Sequence, residues 1–351
     1  MQKPKKLLFT GGHAATTAYT VMQEIINNKK NWDLYWIGAK NTLEGKKVSN
    51  FEEELFRNYD VKNYHITAGK LQQKLNLTSL ISLIKIPLGF VSAANLVYRI
   101  KPDLVFSFGG YVSFPVVVAA KLNNIPVIIQ EQTAAAGIAN IKAARFASVV
   151  VLARESSKKY FPKEKCMVVG NPISPKITKI SAKKSLSKIP VILVTGGSRG
   201  SQVINKAVFE SVDELAKNHK IIHLTGDLDY EKAIDIKKNL NTKRYEIHRS
   251  VTPERMAELL KKSDIVISRA GANTVSEIIT SSRPAILIPI PWAHYNEQYK
   301  NAEYAKKAGI AEIITEDKLT KNTLINKIDY VMKNWKKMSI SDSEILKSCK
   351  I

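Results

Sequence analysis

The residues best suited to chemistry gather in four glycine-containing turns, each placed where an apolar run gives way to a helical pattern. They are Gly11-Gly12-His13, Gly109-Gly110-Tyr111, Gly196-Gly197-Ser198 and Gly271. Glycine lets backbone approach a ligand closely, and the amides that open the following helix attract an anion. A single turn of this kind reads equally well as tight strand-to-helix packing, but four at equivalent positions point to a ligand. None fits G-x-x-x-x-G-K-[ST], which argues against a P-loop nucleotidase. The first also lacks the G-x-G-x-x-G of a dinucleotide site.

Three side chains beside these turns stand out. His13 follows the first turn directly, and an imidazole there suits a general base near neutral pH. A capping or packing histidine would look the same. Glu131 closes "PVIIQE" ahead of the small, permissive stretch Thr133–Gly137. It suits a hydroxyl ligand, a partner that orients a base, or a carboxylate at a helix N-terminus. Glu277 lies in "VISRAGANTVSEI", where Asn273-Thr274 opens a helix and Glu277 is expected in its first turn. A carboxylate there is either a dipole partner, worth ~0.3–1 kcal/mol, or a ligand group.

The elements that must position these residues alternate along the whole chain. "KLLFT", "WDLYWIGA", "PDLVFSF", "PVIIQE" and "SVVVLA" are separated by helical patterns, including 14–28 and 111–122. After Gly170 the pattern restarts with "IPVILVTGG", "KIIHLTG", "YEIHR", "DIVIS", "PAILIPI" and "AEII". Alternation of this kind implies α/β architecture with parallel, doubly wound sheets. Both halves open with Thr-Gly-Gly, at Thr10 and at Thr195, so two Rossmann-like domains in tandem are expected, residues 1–170 and 171–351. The segment 170–190, with three prolines and many lysines, reads as the linker and entry to the second domain. Ligands of such sheets bind beyond the carboxyl ends of the strands, so the site is expected in the cleft between the two.

At 351 residues the chain is about twice a typical domain, and 44% hydrophobic content suffices for packed cores. The net charge of +23 divides into +12 through Gly170 and +11 beyond, so the whole surface is cationic rather than one tail. Such a surface suits phosphorylated substrates or anionic lipid. It would also suit nucleic acid, but no aromatic-interleaved basic motif or RNA-module signature is present, so that partner is not expected. Cys166 and Cys349 form no disulfide framework or zinc spacing. No signal peptide or run of about 18 apolar residues occurs, so a soluble, reducing, cytoplasmic setting is expected. The stretch 70–101 mixes apolar residues with lysine and arginine, which fits shallow insertion at a membrane surface or, equally, a core helix pair with solvated lysines.

Taken together, Thr10-Gly11-Gly12-His13, "FGGYVSFP", "EQTAAAGIAN", "VVGNPIS", "TGGSRGS", "SRAGANTVSE" and "EQYKNAEYAKKAG" occur in an order and spacing similar to glycosyltransferase family 28. The resemblance runs from about Lys5 to Ile314. It is strongest to the N-acetylglucosaminyltransferases that convert lipid I to lipid II in peptidoglycan synthesis. It implies the GT-B fold, an N-terminal domain for acceptor and membrane, and a C-terminal domain for UDP-N-acetylglucosamine. It implies an inverting transfer to undecaprenyl-pyrophosphoryl-N-acetylmuramoyl-pentapeptide at the cytoplasmic face of an anionic membrane, with the enzyme bound peripherally.

Laid on matching positions, the resemblance makes Glu277 the acceptor of hydrogen bonds from both ribose hydroxyls. Ala272, Asn273, Thr274, Val275 and Ser276 face the pyrophosphate, with Ser198 as a second phosphate donor. Gln298 reads sugar hydroxyls, and the backbone at Thr252 and Pro253 reads uracil. Thr10, Gly11, Gly12 and Thr133 belong to the same donor set, and His13 or Glu131 supplies the base. Departures from the family pattern include Leu8-Phe9 for a first glycine pair, Thr133 for asparagine, Ser174 for arginine and Arg199 for glutamine. No Asp-x-Asp flanks the turns, so neither metal nor cofactor is expected. A UDP-N-acetylglucosamine 2-epimerase shares this architecture and donor and stands as the alternative, as does another GT-B glycosyltransferase.

Overall fold

Side chains alternate between two apolar layers along every central strand, which is what a parallel sheet covered on both faces requires. The computed structural model describes residues 4–12, 15–28, 31–39, 56, 59–67, 77–197 and 200–339. The chain divides into two units, Met1–Pro172 and Ile173–Ile351. In the first, β1 (Lys5–Thr10), β2 (Trp32–Ala39), β3 (Val61–Ile66), β4 (Leu104–Ser107), β5 (Val127–Glu131), β6 (Val149–Leu152) and β7 (Cys166–Val168) form one sheet in the order β3-β2-β1-β4-β5-β6-β7. Its helices are α1 (Ala15–Asn27), α2 (Leu77–Ile100), α3 (Ser113–Leu122) and α4 (Ile138–Ala143).

The second unit repeats the plan. Its strands β8 (Val191–Thr195), β9 (Lys220–Leu224), β10 (Tyr245–His248), β11 (Ile265–Ser268), β12 (Ala285–Leu287) and β13 (Ala311–Ile313) run β10-β9-β8-β11-β12-β13. Its helices are α5 (Pro175–Thr178), α6 (Gln202–Asn218), α7 (Tyr230–Asn239), α8 (Pro253–Lys262), α9 (Ala272–Ser281), α10 (Glu297–Lys307), α11 (Lys321–Lys333) and α12 (Trp335–Ser339). All strand pairs in both sheets are parallel.

The alternation fixes which face each helix covers. Leu7 and Phe9 of β1 pack with Ala18, Tyr19 and Met22 of α1, whereas Leu8 packs with Val116 and Ala120 of α3 on the other face. In the second sheet Ile192 and Val194 meet Ile204 and Val208 of α6, while Leu193 and Val266 meet Val275 and Ile279 of α9. In each unit, therefore, the helix after the first strand and the helix after the fourth leave to opposite faces. That reversal opens a gap at the carboxyl edge, where ligands of doubly wound sheets bind.

One detail departs from the expectations. β3 was not anticipated, because its Lys62, Asn63 and His65 interrupt the apolar run; as an edge strand pairing only with β2 it tolerates them. The segment 170–190 packs into the second unit, with Ile177 and Ile180 buried in its core. Beyond them, buried Asp264 accepts from Lys183 Nζ at 2.8 Å, Ser187 N at 3.1 Å, Ser187 Oγ at 3.2 Å and Val191 N at 2.7 Å. Arg283, also buried, donates to the carbonyls of Ser181, Leu260, Lys261 and Ser281. It thereby supplies partners for the ends of α8 and α9, whose last carbonyls have none within the helix.

Removing the Asp264 hub leaves several donors buried without an acceptor. Asp264→Ala is expected to cost about 3–5 kcal/mol in urea unfolding. Lys183→Met leaves the carboxylate its two backbone donors and the Ser187 hydroxyl, and is expected to cost about 1–2 kcal/mol. Equal losses would show that the ion pair, not the backbone anchoring, holds the segment.

Candidate active site

In the first sheet the turns after β1 and β4 lock together through backbone. Phe108 N donates to Thr10 O at 2.8 Å and Gly12 N donates to Gly109 O at 2.9 Å. Gly110 takes φ +92°, and a Cβ on it would lie 2.9 Å from Gly12 N, so this approach requires glycine. Thr10 is fully buried, which leaves contact with a ligand to the backbone at Gly11 and Gly12. His13 lies outside the described residues.

Glu131 ends β5 on the same edge and is 3% exposed. Its Oε1 accepts from Thr133 N at 2.9 Å and Thr133 Oγ1 at 2.8 Å. Its Oε2 accepts from Gly137 N and from Asn140 Nδ2, both at 2.9 Å. The carboxylate thus folds the loop 132–137 around itself and joins it to α4. A proton leaving a substrate would have to displace one of four donors to reach it. Thr133, expected among the donor contacts, directs its hydroxyl hydrogen at Glu131 instead. The Asn140 side chain also closes on the neighbouring turn, since a Cβ on Gly109 would meet its Oδ1 at 2.6 Å.

In the second sheet the turns after β8 and β11 flank the corresponding gap. Ser198 and Arg199 lie outside the described residues. Gly200 packs so tightly on the turn after β9 that a Cβ would sit 2.4 Å from Thr225 O. Helix α9 begins at Ala272, and the first intrahelical bond runs from Val275 N to Gly271 O at 2.9 Å. The amides of Ala272, Asn273 and Thr274 therefore carry the anion-binding end. Val275 and Ser276, expected to share that role, serve the helix: Val275 is fully buried and Ser276 Oγ donates to Ala272 O at 2.9 Å. Thr252 caps α8, its hydroxyl accepting from Arg255 N at 3.3 Å, with Pro253 as the first helical residue. Gln298 Oε1 accepts from Ile290 N at 3.2 Å, which closes the loop 290–298 and leaves the amide NH2 as the group that can meet a hydroxyl.

Glu277 is the sixth residue of α9, not a member of its first turn, which contains no acid. A dipole contribution falls off within that turn, so the bland explanation of this carboxylate fails. Burial pushes its carboxyl up to about 7. A desolvated carboxylate without a cationic partner is disfavoured in the ionised form, and a vicinal diol donating two hydrogen bonds would restore it.

A second polar network underlies the turn after β9. His223 is fully buried, with Nδ1 2.9 Å from the Tyr245 hydroxyl and Nε2 3.0 Å from Asn205 Oδ1. Asn205 Nδ2 donates to Thr225 O and Asp229 Oδ2, both at 2.7 Å. Asn205 Oδ1 can only accept, so His223 carries its proton on Nε2 and accepts from Tyr245. Burial lowers the histidine to about 3, which keeps it neutral. Sequence reasoning passed over this histidine because it sits inside a strand. It also passed over Arg269 and Asn301, although both stand within quoted motifs. Asn301 lies one turn beyond Gln298 on α10, and that spacing was the available signal.

The Glu277 geometry gives a pH dependence. A carboxylate can accept from a diol only when ionised, so any affinity that depends on Glu277 in this way would be present above about 7 and lost as pH falls through it. UDP-N-acetylglucosamine, whose phosphodiesters do not titrate in this range, is expected to bind about tenfold more weakly at pH 6 than at pH 8. Glu277→Gln should weaken binding by about 1.5–3 kcal/mol and flatten that profile. Isothermal calorimetry across the range checks both.

Comparison with known proteins agrees with this geometry. The model of the glycosyltransferase family 28 N-terminal domain matches residues 10–152, and that of the C-terminal domain matches residues 191–348. A relative from Thermoanaerobacter sp. (strain X514), named UDP-N-acetylglucosamine–N-acetylmuramyl-(pentapeptide) pyrophosphoryl-undecaprenol N-acetylglucosamine transferase, is 34% identical over 94% of this chain and 91% of its own. A protein of the same name from Legionella pneumophila (strain Paris) is 33% identical over 93% and 89%. Among solved structures, Acinetobacter baumannii MurG superposes with a TM-score of 0.69 at 24% identity, covering 99% of this chain and 95% of that one. The UDP-GlcNAc 2-epimerase from Neisseria meningitidis reaches 0.64 at 16% identity, covering 99% and 97%, so the fold alone does not separate the two activities. Identity over nearly the full length does, and the chain belongs to glycosyltransferase family 28.

Proposed function

We propose that the protein transfers N-acetylglucosamine from UDP-N-acetylglucosamine to undecaprenyl-pyrophosphoryl-N-acetylmuramoyl-pentapeptide, with inversion at the anomeric carbon. The observation that carries this reading is the pairing of a desolvated Glu277 with the N-terminal turn of the same helix, opened by Ala272, Asn273 and Thr274. Together they offer a diol acceptor and an anion site, the two handles of a nucleoside diphosphate. The names of the full-length relatives supply the acceptor. An acceptor hydroxyl oxygen attacks the anomeric carbon as the bond to the β-phosphate oxygen breaks, and His13 takes the hydroxyl proton. The leaving pyrophosphate gains charge, which the α9 amides, Ser198 and Arg199 stabilise. Gln298 orients the sugar, and the Thr252–Pro253 backbone meets the uracil.

Glu131 assists as the organiser of the loop around it, with His13 as the base. His13→Ala is expected to lower turnover by about 10²–10⁴-fold with donor affinity retained. A transfer assay with a lipid I analogue, beside calorimetry with UDP, separates the two quantities. Turnover of donor without acceptor would instead support the epimerase reading.

The lipid-linked acceptor calls for a membrane-facing surface, and α2 supports one. No helix among the described residues is long and apolar enough to cross a membrane. Yet Leu88, Val91 and Tyr98 of α2 are all exposed on one helical face, opposite buried Ala93 and Val97. Arg99 and Lys101 border them, with Lys101 Nζ 5.6 Å from the Tyr98 ring centroid. Apolar side chains rimmed by cations fit shallow insertion among anionic headgroups at the cytoplasmic face. The side chains of 77–85, which include part of the apolar run noted in the sequence, lie outside the described residues. Leu88→Ser with Val91→Ser is expected to reduce sedimentation with anionic liposomes while UDP affinity stays unchanged; undiminished liposome binding would count against this face.

A further inference from the structure

Arg269 is the first residue beyond the last rung of β11, at the entrance to the turn that leads into α9. An arginine two residues before a glycine turn invites assignment as a phosphate ligand, but its surroundings give it other work. Its side chain is 9% exposed. Nη1 donates to the Ile288 carbonyl at 3.1 Å, just beyond β12. Nη2 is ion-paired with Glu316 Oε1, at the start of the 3-10 turn that follows β13. One guanidinium thus joins the carboxyl ends of three adjacent strands.

This placement matters because the ladder stops short of it. The β11–β12 register ends at Ser268 with Leu287, and the β12–β13 register ends at Leu287 with Ile313. Beyond that edge the chain turns into α9, and side chains take over its positioning. Asn301, buried on α10, donates to the Ala270 carbonyl at 3.2 Å, and the Ser268 hydroxyl donates to the Arg269 carbonyl at 2.8 Å. The guanidinium is the member that spans the three strands. The carbonyl hydrogen bond gives the planar fork its direction, and the ion pair with Glu316, outside hydrogen-bond geometry, keeps it close to the end of β13.

We infer that the Arg269–Glu316 pair is a positioning device for donor binding: Glu316 holds the Arg269 fork against β12 and β13, and that fork sets the angle at which the α9 amides and Glu277 meet the nucleotide. Glu316 touches no substrate. The inference rests on the donor site proposed above, and it assigns Arg269 to support of the turn rather than to the diphosphate.

The sign of one substitution separates these roles. If Arg269 were a phosphate ligand restrained by Glu316, then Glu316→Gln would free it and tighten donor binding. As a brace, Glu316→Gln is expected to raise KM for UDP-N-acetylglucosamine and weaken UDP in calorimetry by roughly tenfold, within the range for residues coupled through one network. The acceptor KM should not move. Glu316→Asp keeps the charge and is expected to recover most of the donor affinity. A cycle with Arg269→Gln should show that the second substitution adds little once the first is made. Unchanged or tighter UDP binding in Glu316→Gln overturns the inference. So does a loss of thermal stability with donor KM intact, which would mark the pair as merely structural. Wild-type protein that fails to bind UDP would instead sink the donor-site reading, before the pair comes into question.

Discussion

Everything at the proposed site depends on one consequence of parallel pairing: hydrogen bonds that hold the strands together cease at a common edge, and all chains leave that edge in the same direction. Past the final rung, backbone amides and carbonyls need new partners. Both sheets meet this need in the same place, between the first and fourth strands, where the following helices depart to opposite faces. In the first sheet the partner is backbone, turn against turn, through Gly12 and Gly109. In the second it is largely side chain, with Arg269, Asn301 and Asn205 completing carbonyls around the turns. The first-turn amides of α9 have no acceptor four residues back within the helix, and they are the groups an anion can use.

The same logic explains why some polar residues are buried and others are not available for chemistry. Glu131, Asp264 and Arg283 each satisfy several backbone groups at once, in the way an ordered water or a cap would. Glu277 has no such duty. It is only partly covered, yet its surroundings oppose its charge. Contrast between a carboxylate wrapped in donors and one left desolvated is how a fold marks which acid is structural and which awaits a ligand.

Much of this was legible in the sequence, because periodicity and glycine placement are local properties. The strand-helix alternation, the two Thr-Gly-Gly openings and the four turns all follow from short windows, and each strand of the second sheet coincides with an apolar run. What escaped was set by partners distant in sequence. β3 is a strand only because β2 offers it an edge. The anchor of segment 170–190 is Asp264, more than seventy residues later. The pairing of Arg269 with Glu316 spans almost fifty positions and leaves no periodic trace. In helical phase Glu277 falls just past the expected first turn, because Asn273-Thr274 resembles a cap while the backbone begins its helix one to two residues earlier, at Ala272. His13 and Ser198 remain readings of the sequence.

That phase carries a further meaning. Glu277 stands six residues beyond Gly271, and an α-helix advances about 1.5 Å and turns about 100° per residue. The distance between diol acceptor and anion site is therefore stored as a number of residues, not as the shape of a loop. A single insertion between Gly271 and Glu277 would swing the carboxylate about a quarter-turn away and lift it along the axis, even if the helix stayed intact. Side chains within this stretch can vary while its length cannot. Recognition of the nucleotide is in this sense counted rather than moulded, and drift by insertion or deletion is closed to it in a way it is not for the surface loops of either unit.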